Sequence, residues 1–207
     1  MKIKKFVLGY VQTNTYVVMN EDTKVAFAID PAEKPEILMD FFETEGYKLE
    51  AILLTHGHFD HIGAVSRLVE EYQVDTYAIA EEIELLATPE LNLSTSIRRP
   101  MSVKNVMELQ DGQELEVAGI VIKVLATPGH TLGGACYYIE ENGIVFAGDT
   151  LFQNSVGRTD FPNGSHEQLI ASIKKQLFTL PDDTIVYPGH MGETTIEHEK
   201  QNNPFVR

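Results

Sequence analysis

The chain has 207 residues, with 31 acidic and 16 basic side chains and a formal net charge of -15 at pH 7. This charge disfavours nucleic acid and anionic membranes as partners, because both would be repelled by the protein. Hydrophobic residues make up 43% of the chain, enough to build a core, and the length predicts a single domain over residues 1–207.

The N-terminal stretch carries basic residues before a few apolar ones, but polar residues such as Gln12 and Asn14 interrupt the apolar run. The run is too short for a signal-peptide core, and no segment approaches the roughly 18 apolar residues of a membrane span. The sequence contains one cysteine, Cys136, which excludes an intrachain disulfide and fits a reducing compartment. We therefore expect a cytoplasmic protein, whose oligomeric state the sequence leaves open.

Short β-branched runs alternate with helical patterns in the first half of the chain. Strand composition is found at residues 24–30, 49–55 and 75–80. Helices are predicted between Pro35 and Gly46, from about Gly63, and over 81–87. The stretch 90–104 is predicted to be an irregular excursion.

The second half repeats this alternation. Strand sequence occupies 114–127, 134–150 with a hairpin turn at 141–143, and 183–190. Two capping boxes, Ser165-x-x-Gln168 and Thr194-x-x-Glu197, predict the starts of two helices. The first of these helices is expected to bury Leu169, Ile173 and Leu177. Mixed strands and helices of this kind predict α/β layers around a sheet.

Four of the predicted strands end in a histidine or aspartate beside a glycine. The sequences are AILLTHGH, IKVLATPGH, GIVFAGDT and TIVYPGH. Polar residues just beyond the carboxyl ends of strands are where α/β folds gather their sites. The four strand ends are therefore expected to converge on one point.

The first of these strand ends holds three histidines and an aspartate within six positions, at His56, His58, Asp60 and His61. Imidazole and carboxylate groups suit zinc and related divalent ions, and this spacing can supply two neighbouring ions. Further candidate ligands follow the other three strands, at His130, Asp149 and His190. A single Gly-His after a strand is commonly a turn residue, but together these seven residues could hold two ions. The remaining histidines, His166 and His198, are expected to be solvated.

The motifs THGHFDH, PGHT, AGDTLF and PGH, in this order, resemble those of the metallo-β-lactamase superfamily over nearly the whole chain. The resemblance implies a four-layer αββα sandwich with a dinuclear metal site at one edge of its two sheets. By the family pattern, the first ion is held by His56, His58 and His130, the second by Asp60, His61 and His190, and Asp149 bridges them. Two divalent ions are expected, zinc in the first place, with iron or manganese as alternatives.

The segment GDTLFQNSVGRTDFPNGS is similar to the glyoxalase II branch, the hydroxyacylglutathione hydrolases. In that branch a basic residue after a glycine meets the glutathione carboxylate, which makes Arg158 the candidate substrate-binding residue; a plain turn is the alternative. The chain continues for about 17 residues after His190, so we expect it to lack the helical domain of the long form. The thiol of the substrate could therefore be another small thiol in place of glutathione.

The resemblance implies thioester hydrolysis of a small molecule by a hydroxide that bridges the two metals. Asp60 and Asp149 are the candidate catalytic residues, because they would hold the ions and orient the hydroxide. Asp30 and Thr131 are candidates for orienting ligands, although strand-end or capping roles are equally open. An anionic substrate would need local cations, for which Arg98 and Arg99 are further candidates.

Several alternatives stay open. β-Lactamases commonly have a cysteine where this chain has Asp149, which disfavours antibiotic hydrolysis. Persulfide dioxygenases share the GRTDF segment and hold one iron through residues matching His56, His130 and Asp149. Two further alternatives are an enzyme that hydrolyses another small ester or a lactone, and a non-catalytic domain that a metal ion stabilises.

Overall fold

The computed structural model describes residues 1–206, which form two six-stranded sheets packed face to face, with helices on both outer surfaces. The first sheet has the spatial order β1 (Lys2–Leu8), β2 (Thr13–Asn20), β3 (Val25–Ile29), β4 (Lys48–Leu53), β5 (Asp75–Ile79) and β6 (Val106–Leu109). The second has the order β14 (Thr194–Thr195), β13 (Ile185–Pro188), β10 (Ile144–Gly148), β9 (Ala135–Ile139), β8 (Ile120–Ala126) and β7 (Glu114–Val117). A small ribbon pairs β11 (Leu151–Phe152) with β12 (Ser155–Val156).

The helices of residues 1–206 cover the outer faces of the sheets. They are α1 (Pro35–Glu45), α2 (Phe59–Ile62), α3 (Val65–Tyr72), α4 (Ile83–Ala87), α5 (His166–Ser172) and α6 (Ile196–Asn202). A π-helical turn, Ile173–Leu177, continues α5. None of these helices has the length and apolar character needed to cross a bilayer.

Successive side chains along each strand point alternately to the opposite sheet and to the outer helices. In β2, Tyr16 and Val18 face the second sheet, whereas Val17 and Met19 face α1 and α3. In the second sheet, Tyr137 and Phe146 face inward, whereas the opposite face packs against α5 and α6. The result is the four-layer αββα sandwich, which confirms the predicted fold class.

Most predicted elements lie where the sequence indicates. Helix α1 begins at Pro35 and ends at Glu45, followed by the capping residue Gly46, whose φ of 69° suits a residue without a side chain. The helix from about Gly63 is α3, and residues 81–87 form a 3₁₀ turn and α4. The hairpin at 141–143 joins β9 to β10, and residues 90–104 are irregular, as expected.

Six strands of residues 1–206 lie outside the predicted elements. Strands β1 and β2 occupy the N-terminal stretch in which polar residues interrupt the apolar run, and β6, β11, β12 and β14 are short strands of two to four residues. The single strand predicted over residues 114–127 is found as two strands, β7 and β8. The division falls at Ala118 and Gly119, which have φ values of 55° and 70°, as in a type I′ hairpin turn.

The two capping boxes need correction. Ser165 accepts a hydrogen bond from the Gln168 amide at 3.3 Å, but its own amide donates to the carbonyl of Gly129, so only half of the first box forms. The Thr194 box is wrong by one residue, since Thr195 caps α6 by accepting from the amide of His198 at 3.2 Å. Thr194 belongs to β14, and its hydroxyl donates to the buried carboxylate of Glu199 instead.

Candidate metal centre

The four strand ends converge, as the sequence predicts. The loops after β4, β8, β10 and β13 meet at one edge of the two sheets and bring all seven candidate ligands together. Sheet one supplies the loop after β4, and sheet two supplies the other three loops. The cluster therefore lies where the two sheets meet.

The first group consists of His56, His58 and His130, which are all buried. One nitrogen from each lies within 4.8 Å of the others, and Nδ1 of His58 is 3.0 Å from Nε2 of His130. Nitrogens bound to one zinc at about 2.0–2.1 Å in a tetrahedron would lie at a similar separation from one another. These three imidazoles could therefore share an ion.

The second group consists of Asp60, His61 and His190. Oδ2 of Asp60 is 3.6 Å from Nε2 of His61 and 3.3 Å from Nε2 of His190. The three ligand atoms again lie within 4.8 Å of one another.

Asp149 lies between the two groups. Its Oδ1 is 3.4 Å from Nε2 of His61, and its Oδ2 is 3.6 Å from Nε2 of His130 and 3.5 Å from Nε2 of His190. One carboxylate thus contacts both groups, which is the position that a bridging ligand requires.

Several buried ligand-type atoms have no hydrogen-bond partner among residues 1–206. They are Nε2 of His56, His58 and His61 and Oδ1 of Asp149. An unsatisfied buried polar group costs about 1–3 kcal/mol, and buried polar atoms are ordinarily paired. The donor set is nitrogen and carboxylate oxygen, which suits zinc, iron or manganese. The residues present therefore fit a divalent metal.

The cluster holds groups of both charges without a metal. Burial acts to lower the pKa of His61 and of His190, but the neighbouring carboxylates Asp60 and Asp149 outweigh it. They raise the pKa of His61, and they raise the pKa of His190 to about 9, so an incoming cation takes the place of the protons on these two rings. Burial lowers the pKa of His56, and burial together with neighbouring His130 lowers the pKa of His58 to about 3, so both imidazoles are neutral at pH 7. Burial acts to raise the pKa of Asp60, but His61 and His190 outweigh it and lower the pKa to about 2. Asp149 is ionised for the same reason, so the cluster presents two carboxylates to an incoming ion.

Asp30 orients His61. Its Oδ2 lies 2.9 Å from Nδ1 of His61, and the same carboxylate accepts from the amide and hydroxyl of Thr55 at 2.8 and 2.6 Å. The opposite nitrogen of His61 is thereby directed toward Asp60 and Asp149. The contact supports the orienting role considered for Asp30 from the sequence.

His130 is fixed in the same way, because its Nδ1 donates to the carbonyl of Arg158 at 2.6 Å and leaves Nε2 facing the cluster. Thr131, the other candidate for orienting a ligand, is buried, and its hydroxyl makes no hydrogen bond to a candidate ligand among residues 1–206.

Glu82 also contributes to the site, although the sequence does not single it out. Its side chain is fully buried, and its two oxygens accept from the amides of Gly57 at 2.8 Å and Gly133 at 2.9 Å. Burial raises its pKa to about 7, against the opposing effect of these hydrogen bonds. Glu82 thereby ties the loop of His56 and His58 to the loop of His130. Nothing in the sequence distinguishes it from its exposed neighbours Glu81 and Glu84.

Strand β2 supports the second group. Thr13 donates its hydroxyl to Oδ2 of Asp60 at 2.9 Å. Asn14 donates to the carbonyls of Pro188 and Met191 at 2.9 and 3.0 Å, on both sides of His190. The polar residues that interrupt the N-terminal apolar run therefore hold the last ligand loop in place.

Two of the glycines beside the ligands are required by close packing. A Cβ at Gly189 would clash with Oδ1 of Asp149 and with the ring of His61. A Cβ at Gly57 would come within 2.8 Å of the side chains of Leu85 and Leu86. The histidine–glycine pairing seen in the sequence thus follows from the tight approach of the loops.

A cavity of about 600 Å³ opens above the cluster. His58, Asp60, His130, Asp149 and His190 line its floor, and Arg158 lines its wall. The guanidinium of Arg158 makes two hydrogen bonds of 2.7 Å to Asp160 and lies 4.0 Å from the centre of the Phe161 ring.

Other sequence candidates lie away from the cavity. Arg99 lines a separate depression with Arg67, and neither Arg98 nor Arg99 is among the residues lining the cavity above the cluster. The prediction that these arginines serve the site is therefore not supported. Cys136 is buried between β9 and α5, and burial raises the pKa of its thiol to about 11.

The two remaining histidines differ from each other. His166 is exposed, as predicted. His198 is only partly exposed, and its Nε2 is 2.9 Å from Oδ1 of Asn154, so it is less solvated than predicted.

The chain matches the family model described as metallo-beta-lactamase superfamily over residues 8–190. It is 36% identical to the probable metallo-hydrolase YqgX of Bacillus subtilis over 208 residues, covering 100% of this chain and 98% of that protein. It is also 37% identical to the hydroxyacylglutathione hydrolase GloC of Haemophilus influenzae, covering 90% of this chain and 89% of that protein.

Solved structures of the same fold extend these similarities. The structure of BLEG-1, described as a B3 metallo-beta-lactamase, is 39% identical with a TM-score of 0.93 and 99% coverage of both chains. TTHA1623 in a di-iron-bound form is 37% identical with a TM-score of 0.88, covering 98% of this chain and 99% of that one. ETHE1 from Myxococcus xanthus is 33% identical with a TM-score of 0.81, covering 99% of this chain and 84% of that one.

Replacing Glu82 by glutamine should weaken metal binding. The amide group of glutamine would face one of the two backbone N–H groups, so one of the two ties between the loops is lost. We expect binding of zinc to weaken about tenfold or more, measured by competition with a chromogenic chelator. Glu81→Gln, which alters an exposed neighbour, is the control. Equal zinc affinity in both variants would show that Glu82 does not position the ligands.

Replacing Asn14 by alanine should loosen the loop of His190, because the Met191 carbonyl loses its side-chain donor and the Pro188 carbonyl keeps only the hydroxyl of Tyr16. We expect the free energy of unfolding to fall by about 1–3 kcal/mol and the metal content per chain to fall. Urea unfolding and elemental analysis measure these effects. The matched control is Asn20→Ala at the other end of β2, where the side chain donates to the carbonyl of Ala118. A full metal complement in Asn14→Ala would contradict the supporting role.

Proposed function

The chain belongs to the metallo-beta-lactamase superfamily, and from this premise we propose that it is a metal-dependent hydrolase that cleaves small acyl thioesters, as glyoxalase II enzymes do. The observation that carries the proposal is the arrangement of two ligand groups on either side of Asp149. A site for two neighbouring ions that share one carboxylate is an established arrangement for hydrolysis.

We propose that His56, His58 and His130 hold one ion and that Asp60, His61 and His190 hold the other, with Asp149 between them. Zinc, iron and manganese all suit these donors. The relative TTHA1623 in its di-iron-bound form makes iron as strong a candidate as zinc.

Bound divalent ions supply Lewis acidity, which polarises a carbonyl and lowers the pKa of water to about 7. Asp60 and Asp149 both line the cavity floor and are ionised at pH 7, so they can orient the attacking water by accepting its hydrogen bond. Thr13 fixes Oδ2 of Asp60 by donating to it. The leaving thiolate, whose conjugate thiol has a pKa near 8.5, departs without a dedicated acid.

The dimensions and charge of the molecule agree with a small-molecule substrate. A cavity of about 600 Å³ falls in the range of small-ligand sites. The net charge of -15 disfavours nucleic acid and anionic membrane surfaces. We propose a cytoplasmic location, consistent with the single free, buried Cys136.

Metal analysis combined with a thioester assay tests this function. We expect about two equivalents of zinc, iron or manganese in the wild-type protein. His190→Ala should lose about one equivalent and reduce thioester hydrolysis by orders of magnitude. His166→Ala, which changes an exposed histidine, is the control.

Near-normal turnover in His190→Ala would contradict the two-ion mechanism. If the protein holds a single iron per chain and consumes oxygen when a persulfide is added, the hydrolase proposal is wrong and the protein is a persulfide dioxygenase.

Hydrolysis of β-lactams, which Asp149 disfavours from the sequence, is tested beside these functions because the BLEG-1 structure matches this chain over 99% of both lengths. A chromogenic cephalosporin and an acyl thioester should be compared on the same metal-loaded sample. We expect a higher kcat/KM for the thioester, whose leaving group is a stable thiolate. A higher kcat/KM for the cephalosporin would reverse the assignment.

A further inference from the structure

The β11–β12 ribbon forms part of the wall of the cavity above the metal ligands. Phe152, Ser155 and Val156 line the cavity, and the centre of the Phe152 ring lies 6.1 Å from the centre of the His190 ring. The ribbon is small, because only two residue pairs join its strands, Leu151 with Val156 and Phe152 with Ser155. A two-stranded hairpin is at best marginally stable by itself. The position of this wall therefore depends on contacts with the rest of the molecule.

The base of the ribbon is fixed beside Asp149. The amide of Thr150 donates to the carbonyl of Ala147 at 2.9 Å, and its hydroxyl lies 2.9 Å from the hydroxyl of Thr127. The amide of Gly157 closes the base by donating to the carbonyl of Thr150 at 3.4 Å. These contacts hold the base independently of the C-terminal helix α6.

The tip of the ribbon is held by α6 and by the residue that follows this helix. Glu199 is fully buried, and its Oε2 accepts from the amide of Asn154 at 3.0 Å. Asn203 is also buried, and its Nδ2 donates to the carbonyl of Ser155 at 3.0 Å and to Oε2 of Glu199 at 2.8 Å. Two consecutive residues of the tip, Asn154 and Ser155, are thus tied to one carboxylate–amide pair.

The buried carboxylate of Glu199 needs an explanation, because an apolar side chain at this position could also pack α6 against the sheet. Its Oε1 accepts from the hydroxyl of Thr194 at 2.5 Å. Among residues 1–206, the ring of His198 is the one basic group in ion-pair distance of its oxygens, at 3.8 Å. A buried carboxylate without a close cation is costly unless hydrogen bonds satisfy it. Glu199 therefore serves to collect donors from the ribbon tip and from Asn203, which an apolar side chain could not do.

We propose that Glu199 and Asn203 are positioning residues for substrate binding, because they fix the tip of the ribbon and with it the cavity wall. The inference rests on the proposed thioester hydrolysis and specifies how that site holds its substrate. Because the base of the ribbon has its own contacts, loss of the tip contacts moves the wall and leaves the metal ligands in place. The expected signature is a higher KM with little change in kcat or in metal content.

The kinetics of Glu199→Ala test the proposal on an acyl thioester that the wild-type protein hydrolyses. We expect KM to rise about tenfold, kcat to change by less than about threefold, and the metal content per chain to stay at the wild-type level. Glu197→Ala removes an exposed carboxylate from the same helix and is the control, which should leave the kinetics unchanged. A wild-type KM in Glu199→Ala, even with a lower melting temperature, would show that the residue is merely structural and would overturn the proposal.

The conservative variant Glu199→Gln separates hydrogen bonding from charge. Its amide oxygen can accept from Asn154 and Asn203, while its NH₂ group can donate to the hydroxyl of Thr194. We therefore expect KM to stay near the wild-type value. A KM as high as that of Glu199→Ala would contradict the hydrogen-bonding role.

Asn203→Ala is a milder variant, which decides the matter if Glu199→Ala does not fold. It leaves Glu199 with its contacts to Asn154 and Thr194 and removes the donor to the carbonyl of Ser155. We expect KM to rise about threefold. Asn202→Ala alters the exposed neighbouring residue and is the matched control. Equal KM values in these two variants would overturn the proposal.

Hydrogen exchange followed by mass spectrometry tests the position of the wall without catalysis. In Glu199→Ala, or in Asn203→Ala if the first variant does not fold, peptides covering residues 151–156 should exchange about tenfold faster than in the wild-type protein. Peptides of α1 should exchange at the wild-type rate. If the wild-type protein hydrolyses no thioester but exchange rises as expected, the proposed function is wrong and the support of the cavity wall by α6 stands. Unchanged exchange over residues 151–156 would overturn the positioning role, whatever the thioester activity.

Discussion

At the floor of the cavity, the Nε2 atoms of His56, His58 and His61 and Oδ1 of Asp149 are buried without hydrogen-bond partners among residues 1–206. Such atoms are costly in a folded protein, and the surrounding structure has to hold them in position against that cost. Asp30 does so for His61, and the carbonyl of Arg158 does so for His130. Hydrogen bonds to the second nitrogen thus preorganise the rings of His61 and His130, and Thr55 lies 3.1 Å from the second nitrogen of His56.

The geometry of the cluster also depends on how the two sheets pack. His56 and His61 follow a strand of the first sheet, whereas Asp149 follows a strand of the second. Between the sheets, Tyr16 packs against Phe146 and Tyr187 with ring centres 5.2 and 5.4 Å apart. Because such cores are close-packed, the aromatic contacts fix the distance between the ligands that follow strands of the first sheet and those that follow strands of the second.

The sequence indicates the candidate ligands well, because four apolar runs each end in a histidine or aspartate beside a glycine, and Asp60 and His61 directly follow the first of these ends. It indicates the supporting residues poorly. Asn14 and Thr13 look like interruptions of a strand, since their partners lie at Pro188 and Asp60, far away in the chain. Glu82 resembles any acidic residue of a surface helix until the fold buries it. The shift of the last helix cap from Thr194 to Thr195 has the same origin, because strand pairing with β13 takes Thr194 out of the cap.

The hydrogen bonds from Asn14 to Pro188 and Met191 join residues 174 and 177 positions apart. Contacts of such long separation form slowly, because a long loop must close before they contribute. The group of His56, His58 and His130 needs only the middle of the chain, whereas the group of Asp60, His61 and His190 needs both ends. The group of Asp60, His61 and His190 is therefore held together only once β2 and the loop after β13 have met.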